Sequence, residues 1–181
     1  GTVSGGYIWA MEQAAGSADV WLATGSPAGL SRYNVQTDAM TEELSLVAEN
    51  TLDLRLTAGG KLLLATQGPG LIYSYEPGQD PVLLFEAAQD EVRQFLTGPQ
   101  GDIFALALHT ADEAMSAMAG RAATAQPTPS TALMPLMGVS ETPEIAPAGL
   151  FRIQPDGAVE TWWTGQLEVM TVAWSPRWGW L

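Results

Sequence analysis

The chain has 181 residues, and seven Lys and Arg against twenty Asp and Glu give a formal charge of −13. That balance argues against a nucleic-acid or anionic-lipid partner drawn in by long-range attraction, and favours cationic ligands, calcium or basic partners. There is no Cys, which excludes disulfides, thiol nucleophiles and thiolate metal sites together.

At 46% hydrophobic and 15% charged residues the chain is globular, with length enough for one domain and a substantial core. No stretch approaches the roughly 20 apolar residues of a membrane helix, so no transmembrane segment is expected. The opening "GTVSGGYIW" carries neither an initiator Met nor a signal peptide and reads as processed, trimmed or incomplete. The lack of Cys, the scarcity of Lys, the abundance of Ala, Gly, Thr and Pro and the seven Trp together suggest a secreted or periplasmic domain.

In chain order, the first unit is expected to place strands at 5 to 12, 19 to 24, 29 to 35 and 43 to 48. The second places them at 52 to 57, 61 to 66, 70 to 76 and 81 to 87. Gly59-Gly60, then Gln67 to Pro69, then Pro77, Gly78 and Asp80 form its turns. Leu, Ile, Tyr, Val and Phe fill these strands with only partial alternation, as expected where both sheet faces are buried. The third unit uses 92 to 97 and 102 to 108, and after a long interruption 149 to 154 and 158 to 163. Residues 168 to 181 open a fourth.

The units are copies of one another. "VWLATGSPAGLSRYN" (20 to 34) and "KLLLATQGPGLIYSYEPG" (61 to 78) share Ala-Thr before the turn and Gly-Leu after it. "NTLDLRLTAGGKLLLAT" lies over "DEVRQFLTGPQGDIFAL" at an offset of 40, matching Leu52 to Val92, Leu56 to Leu96 and Thr57 to Thr97. Gly60 then falls opposite Gln100, and a one-residue slip brings it onto Gly101. Four short strands in about 40 residues is the signature of a β-propeller blade.

The expected architecture is therefore all-β: propeller blades of four antiparallel strands, three of them plus the start of a fourth. The blades run at about 5–49, 50–89 and 90–166, with the next opening at 167–181 and the whole of 1–181 forming a single propeller region. Propellers typically have about four to eight blades, so the missing ones would come from a longer chain or from a second copy. A β-sandwich with two chance-similar hairpins is the competing fold.

The segments "LTGPQGDIFALA", "GLIYSYEPG" and "AGLFRIQPDGAVETWW" resemble the repeats of bacterial β-propellers in the broad group that includes NHL-type, gluconolactonase-like and streptogramin-lyase-like proteins. The resemblance covers nearly the whole chain and rests on turn glycines and strand hydrophobics, which speak to fold rather than activity.

One departure from the blade pattern is the insertion at 110–148 within the third unit. "TADEAMSAMAGRAA" has Thr110 followed by Glu113, a capping box that opens a short helix bearing Met115 and Met118. The Pro- and Thr-rich remainder carries Met134 and Met137. It reads either as an adaptable partner-docking loop or as a cover over the propeller's own face.

Blade topology assembles the candidate site. Connectors between an outermost strand and the next innermost strand lie on the face of the second-to-third-strand loops, around the channel mouth. They read "AENT", "AQDE" and "TGQLE". Asn50, Gln89, Asp90, Glu91 and Glu168, with His109, are the candidate ligand-binding residues, joined on that rim by Glu49 and Gln166. Asp90, Glu91 and Glu168 are the candidate metal ligands, as hard oxygen donors suited to calcium.

The resemblance implies a divalent ion held by carboxylates and amides, as in gluconolactonase-like propellers, and a role for histidine, as in streptogramin-lyase-like ones. Because His109 is the only histidine, a two-histidine metal site cannot be built from this sequence alone. Asp53 and Arg93, at matching places in the offset alignment, are expected to pair across the channel. Trp162, Trp163, Trp174, Trp178 and Trp180 are expected to fill the wedge between sheets. The leading functional expectation is a non-catalytic scaffold presenting its loop-rich face to a protein partner or small ligand. The alternative is a metal-assisted hydrolase or lyase acting at the channel mouth.

Overall fold

The computed structural model describes residues 6–109, 146–166, 169, 171–175, 177, 179 and 180. Every element among them is a β-strand, and all strand pairing is antiparallel. None of the described residues forms a helix long and apolar enough to cross a membrane. The strands of the first unit are β1 (Tyr7–Gln13), β2 (Asp19–Gly25), β3 (Gly29–Asn34) and β4 (Ala39–Ser45). Each pairs with the next in sequence, so they form a meander. The strands β5 (Asn50–Leu56), β6 (Leu62–Gln67), β7 (Leu71–Tyr75) and β8 (Val82–Glu86) repeat the pattern. So do β9 (Glu91–Thr97), β10 (Ile103–Leu108), β11 (Ala148–Ile153) and β12 (Val159–Gly165).

The meanders stack face to face. Trp21, Ala23 and Leu30 of the first unit bury against Leu54, Leu62, Leu64 and Tyr75 of the second. Leu63, Ala65 and Ile72 on the second unit's other side bury against Val92, Phe95, Ala105 and Phe151 of the third. This is why the middle strands read as unbroken apolar runs: β6 places alternate residues in two different interfaces. On the far side of the third unit, Phe104, Leu106, Leu108 and Leu150 pack with Val169 and Val172.

Backbone bonds join the units at one end of the stack. Gly25 pairs with Asn50 and Gln67 with Glu91. Ser26 N–H donates to Glu49 O at 2.9 Å, and Gly68 N–H to Asp90 O at 3.0 Å. Both donors have positive φ, 55° at Ser26 and 63° at Gly68, and each precedes a cis-proline.

Each first strand carries one bulge, at Trp9, Leu52 and Arg93, and these bulges set the true repeat register. Leu52 therefore corresponds to Arg93, an offset of 41 instead of 40, and the slip that brings Gly60 onto Gly101 holds through the strand as well as the turn. The two glycines have φ of 82° and 83°.

Two further expectations are corrected. Strand β4 starts at Ala39, four residues before the expected 43, because Asn34 Oδ1 accepts the N–H groups of Gln36 and Thr37 and turns the chain back early. The shared Gly-Leu of the two hairpins does not superpose: Ala28 O and Gly70 O accept the equivalent bonds from Leu46 and Ala87, which places Gly70 opposite Ala28 and not Gly29. The described residues from 169 to 173 are outside any strand, and β13 (Trp174–Ser175) and β14 (Gly179–Trp180) form only a two-residue hairpin.

The tryptophans also differ from expectation. Trp162 and Trp163 lie exposed on the outermost strand β12, where Trp162 stands edge-on to Phe104 and beneath the Arg152 guanidinium. Trp174 is half-buried in β13, while Trp178 and the side chain of Trp180 lie outside the described residues. The expected helix and the Met residues of the insertion also fall outside them. Its described end is fixed beside β10: His109 N–H donates to Pro147 O at 3.0 Å, and Ala148 pairs with Leu108.

Candidate functional site

The ends of β2 and β6 and the starts of β5 and β9 meet where the units are joined, and there the polar side chains link into one chain. Trp9 Nε1–H donates to Asn50 Oδ1 at 3.2 Å, and Asn50 Nδ2–H donates to Gln67 Oε1 at 2.8 Å. Gln67 Nε2–H donates to Glu91 Oε2 at 3.3 Å. Arg93 closes on Glu91 Oε1 through Nε at 2.7 Å and through Nη2. The chain passes from the first unit through the second into the third. Trp9 and Arg93, at its two ends, are exposed, and the Glu91 side chain between them is buried.

The bulges explain this reach. A bulge re-aims one side chain out of the ladder, and both ends of the chain, Trp9 and Arg93, are bulge residues. Gly25 supplies the space: a Cβ there would stand 2.1 Å from Asn50 Oδ1 and 2.3 Å from Trp9 Nε1. Where the second unit has the Gln67 side chain, the first has room for an indole.

Burial pushes the Glu91 carboxyl above its ordinary value; the bond and charge of Arg93 oppose this, and Asp90 adds to it. The expected pair of Asp53 and Arg93 is not formed. Arg93 is held by Glu91, while Asp53 Oδ2 accepts Phe95 N–H at 2.6 Å and Oδ1 accepts Leu54 N–H at 2.9 Å. The register shift of one residue is the cause, since it places Asp53 level with Gln94 rather than with Arg93.

Asp90 turns the other way from Glu91. His109 Nδ1 lies 3.1 Å from Asp90 Oδ1. An ionised carboxylate can only accept, so against Asp90 in that form Nδ1–H is the donor. Gln89 is buried, donating through Nε2 to Ala146 O at 2.8 Å, and its Oε1 has no partner among the described residues. It ties the described end of the insertion to the same rim.

Of the expected ligand-binding residues, Asn50 and Glu91 thus enter one hydrogen-bonded chain, Asp90 and His109 form a separate pair, and Gln89 anchors backbone. Glu168 lies outside the described residues. The proposed metal ligands do not converge among the described residues. Asp90 and Glu91 are engaged by different partners, and no group of three or more His, Asp or Glu side chains is gathered in metal-binding proximity there. Sequence reasoning missed Trp9, Gln67 and Arg93 as members of the rim. The signal lay in their positions, at a strand's third residue or last residue, and it becomes legible only once the bulges are known.

No protein-family model matches the chain, and no curated protein matches it. Among solved structures it is similar to the X-ray structure of a provisionally assigned gluconolactonase, at a TM-score of 0.58 and 12% identity. The match covers 96% of this chain and 55% of the other, so the chain spans about half the length of the structure it matches. At that identity the likeness speaks to fold alone, and it agrees with a β-propeller-like all-β architecture.

Proposed function

We propose that the three meanders are blades of a β-propeller, that the stretch from 169 onward opens a fourth, and that the joined rim is a channel mouth. On this reading the mouth binds a small, hydroxyl-bearing ligand without transforming it. The observation that carries the proposal is the unbroken hydrogen-bond chain from Trp9 to Arg93. Amides and a charge-paired carboxylate spanning three units, held in place by one another, make a preorganised set of donors and acceptors. The exposed indole at one end adds an apolar face beside them. An extracytoplasmic setting, suggested by composition, belongs to the same proposal.

A second reading, a hydrolase or lyase, draws on the Asp90–His109 pair, in which a carboxylate positions an imidazole. The gluconolactonase assignment of the structural neighbour favours it. Calcium would need donors beyond Asp90 and Glu91 as they are now paired, so neither reading is built on it.

Saturation-transfer NMR with D-gluconate and D-glucose, run beside pH-stat titration of D-gluconolactone opening, separates the two. Binding of either probe that is lost in Asn50→Ala, with lactone opening at its spontaneous rate, is the expected result. Opening above the spontaneous rate that His109→Gln abolishes would establish the second reading. Neither binding nor opening would remove both.

A further inference from the structure

The hydrogen-bond chain of the rim holds donors that its own members do not use. Asn50 Nδ2 and Gln67 Nε2 each carry two N–H groups and give one to the next member of the chain, at 2.8 Å and 3.3 Å, keeping the other. Arg93 holds more. Its Nε and Nη2 both close on Glu91 Oε1, so one side of the planar fork is occupied by a single oxygen. Nη1 and the outward N–H of Nη2 have no partner among the described residues, and the side chain is 42% exposed. A guanidinium engaged in this way keeps two parallel N–H groups at its free end, at the spacing that a carboxylate accepts through both oxygens.

This feature belongs to the third unit. The residue that each first strand turns out of its ladder is Trp9, then Leu52, then Arg93, and only the last is charged. The acidic groups of the rim are covered or turned elsewhere. The Glu91 side chain is 2% exposed, Asp90 meets His109, and Glu49 lies against Gly68, where a Cβ would stand 2.7 Å from Glu49 Cγ. Gln67 holds the second oxygen of Glu91, so the carboxylate orients the guanidinium before any ligand arrives. What a ligand meets at this end of the chain is therefore a positioned guanidinium and not a carboxylate. The formal charge of −13 opposes an anion at long range, but that effect falls off over about 8 Å at physiological ionic strength.

We infer that the ligand of the mouth is a hydroxy acid, its carboxylate seated on the free end of the Arg93 guanidinium and its hydroxyl oxygens accepting the unused N–H groups of Asn50 and Gln67. The inference rests on the reading of the rim as a binding mouth and adds to it an anionic class of ligand. Arg93 and Glu91 stay paired when the ligand binds, so the charge of Glu91 opposes the incoming carboxylate while its geometry favours it.

Saturation-transfer NMR titrations of the 181-residue chain with D-gluconate and D-glucitol test the inference, because the two share one polyol chain and differ in a carboxylate against a hydroxymethyl group. Gluconate is expected to bind at least about tenfold more tightly, with the preference shrinking as sodium chloride is raised. Arg93→Gln should bring the ratio of the two dissociation constants to about one. Glu91→Gln, which removes the opposing charge and keeps an oxygen for Arg93, should tighten gluconate at least about threefold relative to glucitol. Far-UV circular dichroism identifies any variant that has unfolded, and the wild-type ratio with its salt dependence needs no variant. Equal binding of the two probes, a preference for gluconate that Arg93→Gln leaves intact, or a folded Glu91→Gln chain with no gain would overturn the inference and leave the binding mouth standing. Binding of neither probe would remove both.

Discussion

Asp53 concentrates the chemistry of a single residue. Its two oxygens take the N–H groups of Leu54 and Phe95, and Arg55 Nη2–H donates to Phe95 O at 3.3 Å, so two nearby side chains hold the N–H and the C=O of one residue of the next unit. Burial pushes the Asp53 carboxyl above its ordinary value and the nearby Glu12 adds to this, while the two backbone bonds and Arg55 pull it down. A raised carboxyl binds its proton more tightly in the folded state than in the unfolded state. Its contribution is therefore fully present below the unfolded value, 3.8, and is lost as pH rises through the higher folded value. Glu91 acts with the same sign. In Asp53→Asn the charge is gone and one acceptor remains. Denaturant unfolding at a series of pH values should show wild-type stability rising relative to the variant as pH falls from neutrality toward 3.8. A difference between the two that is flat across that range would rule out Asp53 as the source.

Among the elements, the turn between β6 and β7 shows what the repeated Ala-Thr is for. Ala65 is fully buried between units, where a larger side chain would not fit. The Thr66 hydroxyl donates to Pro69 O at 2.7 Å and accepts Leu71 N–H at 3.0 Å, closing the turn from inside. Thr66→Val keeps the shape and leaves that buried N–H unpaired, which costs about 1–3 kcal/mol. Equilibrium denaturation measures the loss, and a change within error would mean that water reaches the turn.

The Ala-Thr pair, the order of strand and turn, and the unbroken apolar middle strands were all readable from sequence, because they follow from local turn chemistry and from burial on both faces. The register was not. Leu52 and Arg93 have nothing in common as side chains, so an alignment by residue type slid by one and paired Asp53 with Arg93. The bulge that corrects it is a backbone event with no composition of its own. The candidate rim was legible as a place, since Asn50, Glu91, Asp90 and His109 all lie there. Which side chains bond to which was not, because that depends on the bulged Trp9 and Arg93 and on the space left by Gly25.

At the scale of the molecule, stability is shared across interfaces rather than held within units. A meander alone would leave its apolar faces in water; here the middle unit gives Leu62 and Leu64 to one neighbour and Leu63 and Ala65 to the other. Nearest-neighbour coupling of this kind defines repeat architectures, in which a loss at one interface is felt by both units that form it. Leu64 is fully buried against the first unit, so Leu64→Ala opens a cavity there and should cost about 2–5 kcal/mol. If the described units unfold together, guanidinium titration followed by tryptophan fluorescence and by far-UV circular dichroism will give coincident curves. Both should shift to lower denaturant with the slope unchanged. If the first unit were held only by its own ladder, the fluorescence curve, which includes Trp9 and Trp21 of that unit, would move ahead of the other and the slope would fall. The second outcome would assign the first unit an independent stability, in contradiction to the interface that Trp21, Ala23 and Leu30 make with Leu54, Leu62 and Leu64.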